Sequence, residues 1–570
     1  MNRAPLHTRN NASLFLLLFA LIYLPGLSFL PLSTPEAVAA LGRVDSGTVA
    51  ALRHPFLSGE TLVVYPFYNI LVEFFKFFLG ANEWAARMPS IISILGLCGL
   101  SAWLGRRHGG RDGAIAAAVA CACAIASVSA GRQASGHALT ALFLNAAWFS
   151  WYTLGRDSRK WGVAWAVALG IVLVASFHTG VKAFLIFYFP LFFLRRPIKV
   201  WRRIVMVRHL AFLATVFALY LVFQSSMNGT PITIEALGRW FEAERGAIQL
   251  GDIFAYPVRW FVFLLPAVLL FWPGFCAAFR TLERDRQCAS FMRTIVVTLS
   301  LSMWIVPNTS ARDLVILMPP LAVLAGMHYE YLVRRHAQVA DRLLRSLLII
   351  AFVAACIGLL VGLITILRVV DLQAISGTNQ LFAAIMIVVA AAVSALSLRS
   401  PDPQPIWLKL AILMIVFQNL TVGMTFPLRE AFDSEARDRG LAMRNELPDS
   451  TRVYRLSSLP LLPETFYLDH PVIDLASPQN LPQDEETVYV LAGYDPPLTE
   501  SRVWHALGAA YPTDSRYVPR NEWFVERSTL FRLKRQIETP TPPSPNLVVR
   551  LYRGTIPEET TIAVEPEEIQ

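Results

Sequence analysis

The chain has 570 residues, 55% of them hydrophobic and only 16% charged, with a mean hydropathy of +0.48. So few charges cannot clothe the surface of a soluble fold of that length, which excludes one. The formal net charge of +9 collects in short loops between apolar runs, which argues against nucleic acid as the partner and for a membrane.

In chain order, the first apolar run covers 14–30 and is long enough to cross a hydrocarbon core of about 30 Å. Pro31 and Leu32 follow it where a signal peptidase would need small residues, so a retained helix is predicted. The next segment, 33–86, holds an amphipathic stretch at 35–52 and a semi-apolar one at 65–79. The second is interrupted by Glu73 and Lys76. It is predicted to lie in the interface, with Phe67, Tyr68, Phe74, Phe75, Phe77 and Phe78 at headgroup depth.

Further spans are predicted at 87–104, 113–130, 136–154, 161–177, 181–194, 209–225, 260–279, 291–306, 313–328, 349–367, 381–398 and 410–426, about thirteen in all. A second long segment, 226–259, carries Glu235, Glu242 and Glu244 at helical spacing, which reads as one solvated face. The six cysteines fall in apolar runs or one basic loop and predict no disulfide framework.

With the N-terminus in the cytoplasm, the arginine-rich loops at 106–111, 156–160, 195–208, 280–293 and 334–345 all fall on the cytoplasmic side. The opposite loops hold mostly single cations: Arg132, Lys182, Arg312 and Arg368. An odd number of spans then places 429–570 outside the cytoplasm, giving an integral inner-membrane, multi-pass protein.

Composition changes at Arg429. A helix is predicted at 430–446 and short strands at 451–456, 471–475 and 487–491, separated by Pro-rich turns. The fold class is therefore an α-helical polytopic membrane protein with a small C-terminal extracytoplasmic α/β domain. The expected division is a membrane domain at 1–428 (first outer loop 33–86), the α/β domain at 429–538, and a partly disordered Pro/Glu-rich tail at 539–570.

A charged side chain at the edge of a membrane domain costs free energy and is a functional candidate. The outward segments offer Glu36, Asp45, Arg53, His54, Glu60, Arg87, Arg132, His137, His178, Lys182, Arg312 and Asp313. Acids, bases and cations facing one outward cavity would suit transfer chemistry on a phosphate-linked lipid. The plainer reading is a set of helix-end residues reaching the interface, with Thr34 and Pro35 before Glu36 serving as an ordinary helix start.

Four stretches sharpen this. Residues 80–90, Gly-Ala-Asn-Glu-Trp-Ala-Ala-Arg-Met-Pro-Ser, resemble the segment entering the second span of GT-C-fold glycosyltransferases. That group contains the lipid A aminoarabinose transferases and the dolichyl-phosphate-mannose protein mannosyltransferases. His54–Glu60 is similar to the family's HLNGE turn, Ser310–Asp313 leading to 317–322 to its SKR…LPPLPPLALL element, and Phe466–Val472 to its FYLGRPV strand. They occur in the family's order along most of the chain.

The resemblance implies a GT-C-like fold of about thirteen spans and transfer of a sugar from a polyprenyl-phosphate donor to an extracytoplasmic lipid, protein or glycan acceptor. It implies Glu36, His54 and His137 as catalytic groups and Arg87, Arg132, Lys182 and Arg312 on the phosphate. Membrane lipids would be the surroundings and the acceptor is unspecified. No metal ligand is identified, although the family leaves room for a divalent ion.

The departures bear on mechanism. Where the family carries an Asp-Glu pair after the first span, its Asp the presumed catalytic carboxylate, this chain has Pro35-Glu36. The phosphate-facing Lys of EKPP has no counterpart in Val64–Phe67, and the acid expected after Arg132 is His137. The TKG motif becomes His178-Thr179-Gly180, with Lys182 close by. A degenerate GT-C-like protein that binds a lipid-linked substrate or acts as a scaffold is therefore the alternative. A transporter or flippase is disfavoured by the missing inverted repeat.

Overall fold

The computed structural model describes residues 11–28, 32, 34–41, 43–45, 61–63, 66–180, 182–194, 202–228, 250–281, 283–305, 311–366, 377–399, 405–433, 435–448, 451–456, 462–475, 478–492, 502–512 and 548–555. It is mainly helical. The first half contains α1 (Asn11–Tyr23), α2 (Thr34–Leu41), a two-stranded ribbon of β1 (Arg43–Asp45) and β2 (Thr61–Val63), and α3 (Pro66–Leu79). It continues with α4 (Glu83–Ala122), α5 (Ile125–Gly131), α6 (Gly136–Leu154), α7 (Trp161–Thr179), α8 (Lys182–Phe192) and α9 (Val207–Asn228). The second half holds α10 (Leu250–Leu264), α11 (Arg286–Ile305), α12 (Met318–Ile366), α13 (Gly377–Arg399) and α14 (Ile406–Asp433).

Among the described residues five helical stretches are long and apolar enough to cross a membrane: Glu83–Ala122, Ser158–Thr179, Asp313–Leu360, Leu381–Arg399 and Ile406–Gly423. Shorter apolar helices occupy Ala12–Tyr23, Lys182–Phe192 and Val207–Phe223. The protein is an integral, multi-pass membrane protein.

Two of the long elements each gather two expected spans. In α4 the chain leaves helical geometry at Gly110 (φ 71°, ψ −159°), a conformation that glycine adopts without penalty. The arms fold back on each other there. A Cβ on Gly105 would stand 2.9 Å from the Ala117 Cβ, although these positions would be about 18 Å apart on a straight helix. The hairpin then crosses α12 at a glycine contact, where a Cβ on Gly113 would lie 2.6 Å from the Gly326 carbonyl. Small residues let helices approach closely where no hydrophobic force favours association over lipid. In α12, by contrast, the expected loop at 329–348 is helical throughout. Its Asp341 pairs with Lys409 near the start of α14.

Other expectations are corrected. The first span ends at Tyr23 rather than 30, because Pro25 and Gly26 (φ 66°) turn the chain. In the amphipathic stretch 35–52 the helix runs to Leu41 and β1 follows at Arg43–Asp45, with 46–52 outside the described residues. The spans expected at 113–130 and 260–279 are both broken, at 123–124 and 265–267. The breaks meet: the Ile125 amide donates to the Leu265 carbonyl at 2.9 Å. Irregular backbone at membrane depth is tolerable when it finds such a partner inside protein. The interfacial segment forms α3, with Tyr68 and Val72 buried and Ile70, Phe74, Phe77 and Phe78 exposed.

The C-terminal domain begins with α15 (Glu435–Asn445) and carries β3 (Val453–Leu456), α16 (Leu462–Leu468), β4 (Val472–Leu475), β5 (Thr487–Ala492), β6 (Val503–Pro512) and β7 (Val548–Thr555). The strand order is β4-β3-β5-β7-β6. β3 runs parallel to both neighbours, and β7 runs antiparallel between β5 and β6. Alternate residues serve two cores. Val453, Leu491 and Leu551 face one, with Met443 and Leu468, and Tyr454, Val490 and Tyr552 face the other, with Leu475. The three expected strands are present at nearly the expected limits. β7, however, lies inside the segment expected to be a partly disordered tail, so the sheet extends past 538.

Candidate functional site

Residues from the expected list meet where the C-terminal domain sits on the helices. Glu36 stands in the first turn of α2, where a carboxylate suits the helix dipole. Arg87, in the second turn of α4, grips it in a fork: Nε to Oε1 at 2.9 Å and Nη2 to Oε2 at 3.2 Å. Both side chains are 5% exposed. The remaining Arg87 nitrogen donates to the Leu27 carbonyl, and Glu36 Oε1 also accepts the Ala134 amide at 3.0 Å. Arg132 is buried too and donates to the carbonyls of Tyr23 (2.8 Å) and Pro25 (2.7 Å). Both arginines thus hold the turn leaving α1 in place, a use of guanidinium donors that fixes backbone.

The short loop 132–135 leads from these contacts into α6, whose second residue, His137, forms another pair. Ser135 is pinned by Ser90, whose hydroxyl donates to the Ser135 carbonyl (3.1 Å), receives the Ser135 amide (3.3 Å) and meets the Tyr68 hydroxyl (2.9 Å). Tyr68 itself donates to the Ala86 carbonyl at 2.8 Å. Two residues on, His137 Nδ1 lies 3.0 Å from Asp313 Oδ1, and both side chains are 32% exposed. The carboxylate facing His137 is that of Asp313, from the turn Ala311–Leu317. A carboxylate on one ring nitrogen fixes the tautomer and leaves the other to exchange a proton.

The other expected residues lie around this centre. His178 is buried at the end of α7, its ring 5.7 Å from Phe67 of α3 and 6.1 Å from Phe143 of α6. Lys182 is half-buried at the start of α8. His54 and the side chain of Arg312 lie outside the described residues. Among the described residues no three His, Cys, Asp or Glu side chains stand together as a metal-ligand set. His137 and Asp313 make two such groups, and a divalent ion would need more.

Reading the sequence placed Asp313 among the outward polar residues without giving it a partner. Its position beside Arg312 in the Ser310–Asp313 motif was the available signal. Ser90 and Tyr467 lie in the stretches 80–90 and 466–472 and Tyr68 in the aromatic segment, but the sequence gives no partner for their hydroxyls.

A second cluster lies at the other end of the same helices. Asp285 accepts the amides of Gln287 (3.1 Å) and Cys288 (3.0 Å) at the start of α11. It also pairs with Arg156 at 2.7 Å and His108 at 3.4 Å. This is a helix cap joined to a loop contact.

No family model matches the sequence, and no curated protein matches it. Solved structures do. ArnT from Cupriavidus metallidurans bound to undecaprenyl phosphate shares 15% identity at a TM-score of 0.63, covering 95% of this chain and 97% of that one. The apo state of the same protein gives 17% and 0.60, covering 85% of this chain and 92% of that one. The archaeal oligosaccharyltransferase AglB from Archaeoglobus fulgidus, in complex with an inhibitory peptide and a dolichol-phosphate, is 12% identical. It covers 85% of this chain and 70% of that one, and its TM-score of 0.41 carries no weight. The GT-C-like fold, C-terminal domain included, is thereby shown.

Proposed function

We propose that this protein moves a sugar from a polyprenyl-phosphate carrier to an acceptor outside the cytoplasm. The face bearing the C-terminal domain would be extracytoplasmic, the side to which the basic loops assign it. The observation that carries the reading is the half-open His137–Asp313 pair. It lies on the domain face of a chain whose fold follows ArnT over nearly its whole length. The undecaprenyl phosphate named with that structure supports a lipid-linked donor of the same class.

In the reaction, an acceptor hydroxyl or amine attacks the anomeric carbon of the sugar. Its proton passes to His137 Nε2 while Asp313 holds Nδ1. The bond from that carbon to the phosphate oxygen breaks, and polyprenyl phosphate leaves with the electron pair. Lys182 and Arg312 are the cations for that phosphate. Glu36 acts in this reading through Arg87 and the Ala134 amide: it holds the 132–135 loop that leads into the helix carrying His137. A fully enclosed carboxylate bound to an arginine is poorly placed to receive a proton from substrate.

That same enclosure favours a second reading, a non-catalytic relative that keeps lipid-linked substrates bound. One assay separates the two. Purified protein in nanodiscs receives polyprenyl-phosphate donors labelled in the sugar, with an envelope extract as acceptor pool. Transfer of label with release of polyprenyl phosphate, lost in His137→Ala, supports the enzyme. Saturable retention of the donor with no release over the same period supports the binding protein.

A further inference from the structure

The segment between α1 and α2 is held from two directions. From within the membrane domain, Arg87 holds the Leu27 carbonyl and Glu36. From the C-terminal domain, Arg437 Nη2 donates to the Ser28 carbonyl at 3.2 Å, and its Nε lies 2.8 Å from Glu83 Oε1. Between them stands Tyr467 of α16, buried to 1% exposure. Its hydroxyl accepts the Leu32 amide at 2.8 Å and donates to Glu83 Oε1 at 2.9 Å.

These contacts form two rungs of one ladder. Tyr467 ties residue 32 to residue 83, and the ion pair ties residue 36 to residue 87, so the sequence offset is 51 in both rungs. Residues 83 and 87 are one helical turn apart on α4 and present neighbouring side chains. A slip of the 32–36 segment along α4 would break both rungs at once. Only one of them belongs to the membrane domain.

The domain that supplies the other is seated firmly. Asp469, at φ 54°, pairs with Lys76 of α3 at 3.0 Å and with Arg444 at 3.4 Å. Lys76 also lies over the Phe466 ring at 5.6 Å. Phe466 and Tyr467 complete an apolar cluster with Ala39, Ala40, Tyr68 and Ala86. Behind them α15 meets α16 at Gly440, where a Cβ would stand 2.7 Å from the Tyr467 Cβ.

We propose that Tyr467 and Arg437 are positioning residues for the Glu36–Arg87 pair, and that the C-terminal domain sets the register of the 32–36 segment on α4. The inference stands whether or not the protein transfers sugar, and its test does not use activity.

Hydrogen exchange is followed at three amides of the full-length protein in detergent: Leu32, bonded to Tyr467; Ala134, bonded to Glu36 and in the apolar cluster of Tyr467 but not hydrogen-bonded to it; and Cys288, capped by Asp285 at the other end. Tyr467→Phe keeps the ring and removes the hydroxyl. It is expected to speed exchange about 5- to 10-fold at both Leu32 and Ala134, the worth of roughly one buried hydrogen bond, and to leave Cys288 unchanged. Gly440→Ala, whose Cβ would press on the Tyr467 Cβ at 2.7 Å and on the Glu464 carbonyl at 2.8 Å and so displace the ring, should give the same pattern. Arg437→Ala should loosen Ala134, and Arg437→Lys should restore it. Faster exchange at Leu32 alone would mean a purely local contact, and faster exchange at all three would mean general loosening. Either result overturns the proposal.

Discussion

Two pairs, each built on one carboxylate, stand at opposite ends of the 132–135 loop and differ most in burial. Glu36–Arg87 is 5% exposed and saturated with hydrogen bonds to side chain and backbone. His137–Asp313 is 32% exposed on both sides and sets an imidazole, not a guanidinium, against the carboxylate. The first pair is closed off from solvent, and in the proposed reaction the second is the one open to substrate. A buried ion pair is strongly destabilised by losing one partner, whereas a half-exposed one is worth little to stability. Burial therefore separates the scaffold of the site from its chemistry better than residue type does.

The largest expected effect breaks the comparison at its chemical end. Asp313→Asn or His137→Ala should lower the rate of sugar transfer about 10²- to 10⁴-fold, the range of a positioned acid–base group. The melting temperature in detergent should stay near that of the parent. Next, Glu36→Ala should cost about 3–5 kcal/mol of stability, because Arg87 would be left buried and uncompensated. Thermal or denaturant unfolding checks it, and a loss under 1 kcal/mol would place the pair in the same class as the exposed one. Ser90 lies between the two, so Ser90→Ala should cost about 1–3 kcal/mol and also reduce transfer, since it unpins Ser135.

The smallest effect concerns the domain that holds the ladder. Glu464, behind Tyr467 on α16, is buried, and burial pushes its carboxyl above the ordinary value of 4.5 despite Arg439 at 2.9 Å. Its folded value is the higher one, so the folded state binds the proton more tightly than the unfolded state does. Its contribution is full below pH 4.5 and falls as pH rises through the raised value. Glu464→Gln should flatten that decline in melts recorded from pH 4 to 7.

Much of the architecture is legible in the sequence, because a membrane writes itself as apolar length and loop charge. The interfacial helix α3 and the strands β3, β4 and β5 follow from the same periodicities. What the sequence hides is the consequence of contact. The α4 hairpin at Gly110 falls in the arginine-rich loop predicted at 106–111, but the close glycine contact of its second arm with Gly326 of α12 has no signature in the sequence. The break at 265–267 is meaningful only because Ile125 donates into it. Val548–Thr555 looks like a short apolar island in a Pro- and Glu-rich stretch until β5 and β6 pair on either side of it. Residue type singled out Glu36, Arg87, Arg132 and His137 as candidates. It could not distinguish a carboxylate clasped by arginine from one facing a histidine across a half-open gap.

The most direct measurement compares Asp313→Asn with Glu36→Gln in transfer from a sugar-labelled polyprenyl-phosphate donor, at equal amounts of folded protein. The account predicts that Asp313→Asn nearly abolishes release of polyprenyl phosphate while melting like the parent, and that Glu36→Gln chiefly lowers the melting temperature. Release at the parental rate by Asp313→Asn, with abolition by an equally stable Glu36→Gln, would contradict it.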